Sequence, residues 1–176
     1  MDDLHVQGFA AAGITAGIKK KTKKDLGLIC SDRPASVAGV FTRNRVKAAP
    51  VILDQERIRS GRMRAVIVNS GNANCCNGQQ GMQDALAMTN ATGKVLGIPA
   101  EQVLVASTGV IGEPLPLERI VSAVPELVQA CRPDGFEDLA EAIMTTDTVP
   151  KIASAGAKIG GNDFRLLGIA KGAGMI

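Results

Sequence analysis

With 176 residues, 45% of them hydrophobic and 21% charged, the chain suits one full domain, or one compact half of a larger unit, of ordinary globular composition. Its net charge of +3 is too small to point to nucleic acid, and with no Trp, no Tyr and four Phe it offers no base-stacking platform. No apolar run approaches membrane-spanning length, and the acidic start Met1-Asp2-Asp3 carries no apolar signal segment, so the cytoplasm is the expected location.

The Gly/Ala-rich apolar stretch from Gly8 to Ile18 reads as strand and turn. Lys19 to Lys24 follows, five lysines around Thr22, either a solvated hairpin tip or a patch that binds anions. Asp25 to Cys30 and Ser36 to Thr42 read as two short strands, with Asp32-Arg33-Pro34 as the turn between them. Arg64 to Asn69 is a buried strand that opens into the small polar loop Ser70 to Gly78. Met82 to Leu96 is a helix with Met82, Ala85, Leu86 and Val95 as core contacts. Val103 to Ala106 is a strand, and Ser107 to Gly112 turns off its end.

Leu117 to Cys131 is a second helix: Ile120, Val124, Leu127 and Val128 fall at i, i+4, i+7 and i+8, one apolar stripe. A third helix starts at Asp134-Gly135, with Phe136, Leu139, Ala140 and Ile143 on one face. It runs into Met144 to Thr148, and Pro150 bars it from continuing. Gly160-Gly161-Asn162-Asp163 is a hairpin turn before a last, buried strand, Phe164 to Ala170. Strands come first, then strands mixed with helices, which favours an α+β fold of mainly antiparallel sheets with helices packed outside. The final stretch, Gly168 to Ile176, reads as backbone leading onward, so the chain is expected to be part of a larger protein, cut near a working site.

Chemistry is sparse. Cys30, Cys75, Cys76 and Cys131 form no CxxC pair and no zinc spacing, so they read as reduced, small apolar residues. A histidine-dependent triad within the chain would have to use His5, the single histidine. Three loops at element ends carry small polar residues: Ser107 to Gly112, Met144 to Thr148 and Lys171 to Gly174. Thr108-Gly109 after a strand suits an oxyanion hole, because glycine leaves its N–H unshielded and the threonine hydroxyl adds a second donor. Lys171 before Gly-Ala-Gly places an ammonium beside accessible backbone, where it could bind a carboxylate. A nucleotide-binding role for Lys171 to Gly174 is disfavoured, since neither Walker spacing nor GxGxxG is present. The missing nucleophile could be the first residue of a following chain: an N-terminal Thr brings its own base, an α-amine with a pKa near ~8.

Several segments, taken in order, resemble the α chain of ornithine acetyltransferase, the glutamate N-acetyltransferase family of the arginine-biosynthesis cycle. They are Gly8-Phe9 with Ala16 to Lys19, Gly39 to Val51, Val68 to Asn74, Ser107 to Gly112, Met144 to Lys151 and Ala170 to Ile176. The resemblance spans essentially the whole chain. It implies an αββα-type sandwich like that of N-terminal-nucleophile enzymes, completed by a separate β chain, with residues 1–176 as the single-domain α chain of a self-cleaved precursor. Cleavage between Ala and Thr a few residues beyond Ile176 would expose the nucleophilic Thr of the β chain. That Thr would take acetyl from N2-acetylornithine and pass it to glutamate. Thr108 and Gly109 match the oxyanion pair, and Thr145 and Lys171 match substrate-contacting positions. No cofactor and no metal are implied, although acetyl-CoA serves as donor in bifunctional members, and two α with two β chains form the assembly. The family's Pro-Asn-Met-Ala stretch before the cleavage point is absent from the sequence, and Cys75-Cys76 stands where members commonly show alanine and cysteine. The alternative is an aminopeptidase or amidase of the same nucleophile logic, distinguished by whether acetyl reaches glutamate or only water.

Overall fold

The computed structural model describes residues 4–20 and 22–174. Met1-Asp2-Asp3, Lys21 of the lysine run and Met175-Ile176 lie outside them. Four strands form one mixed sheet in the order β1 (Phe9–Ile14), β2 (Leu26–Ser36), β3 (Arg62–Asn72), β4 (Val103–Val110). The first two pairings are antiparallel; β3 and β4 run parallel, so the chain must cross over between them. That crossover holds α2 (Gly78–Leu96). The other helices are α1 (Ala49–Arg57), α3 (Leu117–Gln129) and α4 (Phe136–Ala142), and β5 (Lys151–Ile159) and β6 (Asn162–Ala170) form a separate antiparallel hairpin. The fold is α+β.

Strand alternation divides the core in two. Ala12, Leu26, Leu28, Ala65, Ile67, Val103 and Val105 point to the face covered by α1, α2 and α3, where they meet Leu53, Ala85, Met88, Ile120, Val124 and Leu127. Each fully buried Leu or Ile there contributes about 1.5–3 kcal/mol. The opposite face carries Ala11 and Ile29 and is covered by Phe136 and Leu139 of α4, with Ile152, Leu167 and Ile169 of the hairpin packed beside them. The helix layer, the sheet and the hairpin thus stack in that order.

The α3 stripe and the α4 face lie as the sequence periodicity indicates, and Gly160-Gly161, both at positive φ, make the two-residue hairpin turn. Other elements differ. Asp32-Arg33-Pro34 is not a turn between strands: β2 pairs with β3 on both sides of it, Cys30 with Ala65 and Ala35 with Met63, so the three residues bulge out of one continuous strand. The strand expected over Ser36 to Thr42 does not form: Ser36 ends β2, and no strand follows it. Residues 37–48 have no partner strand, Val40 is fully exposed, and Thr42 and Asn44 side chains capture the Asn44 and Val46 amides locally.

Helix α1, with Pro50 in its first turn, is an addition to the expected elements. On α2, Ala85 is buried but Leu86 and Val95 are exposed: the inward face is Gly81, Asp84, Ala85, Met88, Thr89, Thr92 and Gly93. Gly81 and Gly93 sit there because an added Cβ would come within 2.8 Å of Asn74 Oδ1 and of Ile98 O respectively. The last strand is not buried. Phe164 and Leu166 on β6 are exposed, and only Leu167 and Ile169 reach the core. The two ends of the lysine run are tied down, while Lys20 and Lys23 between them are exposed. Lys24 pairs with Asp138 and Glu141, and Lys19 donates to the carbonyls of Lys24 and Ala142. Among the described residues no helix is long and apolar enough to cross a membrane.

Candidate active site

Strand β4 does not end at Ala106. It continues through Ser107-Thr108-Gly109-Val110 alongside Asn69 to Asn72 of β3, and the chain turns only at Ile111. Thr108 and Gly109 therefore sit on a sheet edge rather than in a loop. Gly109 lies opposite Gly71, with φ +139° and φ +109°, values that L side chains rarely adopt. A Cβ on Gly109 would fall 2.3 Å from the Gly71 carbonyl carbon and 2.5 Å from the Asn72 amide nitrogen. Two facing glycines allow the strand ends to approach this closely. Below them, Asn69 Oδ1 and Ser107 Oγ, at paired positions, are buried without a hydrogen-bond partner among the described residues.

Asparagines brace this edge from behind. The Asn72 side chain accepts from the Asn74 amide and donates to the Glu113 and Pro114 carbonyls. Asn74 donates to the Gly81 carbonyl, and Asn77 to Glu113. Backbone bonds from Ala73 to Val110 and from Gly112 to Cys75 complete the brace. Satisfied networks of this kind hold a site's geometry before a ligand arrives.

From the other side comes the turn after β1. Asp25, fully buried, accepts the amides of Ala16, Ile18 and Lys19 at 2.6, 2.6 and 2.9 Å, and so curls the chain that brings Lys19 over Gly71. The Lys19 ammonium donates to Lys24 O at 2.8 Å and Ala142 O at 3.4 Å. Burial lowers its pKa, opposed by Asp25 and reinforced by the positive charges of Lys23 and Lys171.

Helix α4 ends at Ala142, so Thr145 lies beyond its C-terminus, in the bend that leads to β5. Asp147 organises that bend. Its side chain is 1% exposed and accepts from Lys151 Nζ at 2.7 Å. It also accepts from the Gly172 amide at 2.7 Å and the Thr145 amide at 3.3 Å, while Lys171 Nζ stands 3.9 Å away. The Lys151 hydrogen bond, then that from Gly172, hold the Asp147 carboxyl well below the usual carboxylate range.

Thr108, Gly109, Thr145 and Lys171 thus line one cleft of about 460 Å³, together with Lys19, Gly71, Val110 and Thr146. The three segments singled out in the sequence converge there, the Lys171 to Gly174 segment as irregular chain leaving β6. Lys19, Gly71 and Asp147 lie in segments that the sequence marks, the lysine run, the Ser70 to Gly78 loop and the Met144 to Thr148 loop, but none of the three was a candidate site residue. A larger open cleft of about 820 Å³, between His5-Val6-Gln7 and the β5–β6 tip, contains none of the four candidates. His5 therefore does not line the cleft that holds Thr108.

Chemically, the smaller cleft offers a threonine hydroxyl and an unshielded glycine backbone at a strand end. Lys19 and Lys171 both line the space between the loops, and the carboxylate beside Lys171 is already bonded to Lys151. Such a set can receive a carboxylate-bearing ligand and stabilise an oxyanion.

Residues 10–176 match the model of the ArgJ family. The chain is 52% identical over 173 residues to the arginine biosynthesis bifunctional protein ArgJ of Geobacter sulfurreducens, covering 98% of this chain and 44% of that protein. It is 52% identical to that of Thermotoga neapolitana, covering 97% and 43%. Among solved structures, ArgJ of Bacillus halodurans superposes with a TM-score of 0.92 at 43% identity, covering 97% of this chain and 90% of that one. Ornithine acetyltransferase of Mycobacterium tuberculosis, solved in complex with ornithine, gives a TM-score of 0.92 at 42% identity, with coverages of 97% and 91%. The chain spans under half the length of the curated relatives it matches.

Proposed function

The chain belongs to the ArgJ family, and from that premise we propose that it is the α chain of a self-cleaving acetyltransferase that moves acetyl from N2-acetylornithine to glutamate. The observation that carries this reading is the convergence of Thr108, Gly109, Thr145 and Lys171 on one cleft.

The nucleophile is the N-terminal Thr of the β chain that follows. Its hydroxyl attacks the acetyl carbonyl of N2-acetylornithine, and its own α-amine accepts the hydroxyl proton. The Thr108 hydroxyl and the Gly109 amide donate to the oxyanion of the tetrahedral intermediate. Donors placed in advance at the point where charge develops act without reorganisation, each worth about 2.7–4 kcal/mol in such sites. Collapse breaks the C–N bond, the proton passes to the departing amine, and ornithine leaves an acetyl-threonine ester. The glutamate amine then attacks that ester through the same oxyanion geometry and releases N-acetylglutamate and the free Thr. Thr145 and Lys171 hold the amino-acid substrate, the ammonium meeting a carboxylate.

We place the active protein in the cytoplasm as an assembly of two α and two β chains. The relatives are named bifunctional, which agrees with a second acetyl donor, and we propose acetyl-CoA for that role. The test is to incubate the complete protein with acetyl-labelled N2-acetylornithine, with and without glutamate. The expected result is label on a chain beginning with Thr, then label on glutamate when glutamate is present. Label released only to water favours the hydrolase alternative and refutes the transferase.

A further inference from the structure

One carboxylate joins two of the three converging loops. Asp147 sits in the bend after α4, and the Gly172 amide that it accepts belongs to the exit of β6, 25 residues later. Gly172 has φ +139°, and a Cβ there would meet nothing within 4 Å. Its glycine is needed for backbone conformation rather than for space, and that conformation is the one in which its amide reaches Asp147.

The carboxylate divides its work unevenly. Oδ1 takes the two short bonds, from Lys151 Nζ and the Gly172 amide at 2.7 Å each. Oδ2 takes the Thr145 amide at 3.3 Å and faces Lys171 Nζ at 3.9 Å. Lys151 therefore supplies the tight ion pair. Lys171 is held within the field of the same carboxylate but beyond hydrogen-bond distance, so its N–H groups stay available to a ligand. Two ammonium groups against one carboxylate, with Lys19 also lining the cleft, leave the cleft positive.

We propose that Asp147 is the positioning residue of the cleft: through the bonds it accepts from the Thr145 and Gly172 amides, it holds Thr145 and the Lys171–Gly172 segment where they meet the substrate's carboxylate. This rests on the acetyl-transfer reading of the same cleft. Thr108 and Gly109 stand on β4 and are braced by the asparagines, so they do not depend on Asp147. Loss of Asp147 should therefore weaken binding and largely spare the chemical step.

The test uses the complete protein with D147N and, for comparison, K151M. D147N keeps the side chain's shape but leaves Lys151 and Lys171 unpaired and mutually repelling. K151M keeps the bonds to Thr145 and Gly172 and leaves Lys171 as the carboxylate's cation. The expected result is a KM for N2-acetylornithine raised about 10-fold or more in D147N, with kcat within about 3-fold, and both constants within about 3-fold in K151M, since one charged hydrogen bond is worth about a factor of ten or more. Hydrogen exchange at the Gly172 amide should accelerate at least about 10-fold in D147A, which unlike asparagine leaves that amide no side-chain acceptor, whether or not the variant is cleaved, while residues 65–68 and 103–106 of the central sheet keep wild-type protection. A D147N enzyme with wild-type KM, equal KM increases in D147N and K151M, or unchanged Gly172 exchange in D147A would each overturn the proposal. A wild-type protein that transfers no acetyl overturns the functional reading itself, a result distinct from a transferring wild type whose D147N variant is unaffected.

Discussion

Replacing Gly109 by alanine tests the site's central geometric claim, that β3 and β4 approach too closely at this point for any side chain. The added Cβ would lie 2.3 Å from Gly71 C, 2.5 Å from Asn72 N and 2.6 Å from Gly71 O. All three are backbone atoms of the neighbouring strand, so no side chain can swing away. The backbone angle of +139° adds strain of about 1–3 kcal/mol for a non-glycine residue. Overpacking against an unyielding neighbour adds about 1–3 kcal/mol, and a ladder bond lost as the strands part adds about 1 kcal/mol. The sum is about 3–7 kcal/mol. Gly97, the C-cap of α2 at φ +67°, is the control, because a Cβ there meets nothing within 4 Å. Its cost is the left-handed conformation alone, about 1–2 kcal/mol. Thermal unfolding of the complete protein should place Gly109→Ala well below Gly97→Ala, by roughly 5–15 °C at about 2–4 °C per kcal/mol. Equal melting temperatures for the two variants would refute the close-approach argument.

On the proposed mechanism Thr108→Ala removes one oxyanion donor, and it should slow acetyl-enzyme formation about 100-fold or more, followed by rapid quench and intact mass, with little change in melting temperature. Asp25→Ala leaves the amides of Ala16, Ile18 and Lys19 without their acceptor, and it should cost about 2–4 kcal/mol in chemical denaturation and disorder the turn that carries Lys19. Asp54→Asn tests a pH dependence. Burial pushes the Asp54 carboxyl up to about 6, against an accepted Val105 amide at 3.0 Å and the nearby Arg57 charge. Its folded pKa thus lies above its unfolded value of about 4, so the folded state binds the extra proton between them and stability falls as pH rises through that window. Discounted for its partial exposure, the cost above pH ~6 is about 1–2 kcal/mol. Asparagine keeps an acceptor for Val105 and removes the titration. The variant should gain stability over wild type at pH ~7.5 and lose that advantage near pH ~4, as read from unfolding curves at both values.

Local patterns were legible where local chemistry decides the outcome. The α3 stripe is one such case: Ile120, Val124 and Leu127 repeat at helical spacing, and only one face can be buried. The Gly160-Gly161 turn is another, since two adjacent residues at positive φ need glycine. Thr108-Gly109 could be singled out as a candidate because a small hydroxyl residue beside a glycine at a strand end is itself unusual backbone chemistry. Reading by local rules failed where a distant partner overrules them. Asp32-Arg33-Pro34 is turn chemistry absorbed as a bulge because β3 pairs with both flanks. Leu86 and Val95 are apolar yet face outward, because α2 packs through glycine, alanine and threonine instead.

By itself, then, the order of residues determined three of the helices, most of the strands, the α+β class and the small polar segments near strand and helix ends, all consequences of periodicity and backbone preference within a few residues. Tertiary structure alone decided that three of those segments meet in one cleft, and that Lys19 joins them. Closure of that cleft depends on Asp25 and Asp147, each an isolated aspartate in a polar stretch that would read as solvated. Their burial arises only when the β1–β2 connection and the β5–β6 hairpin fold back and turn backbone amides and lysines toward them, and no helix or strand periodicity links an aspartate to partners of that kind.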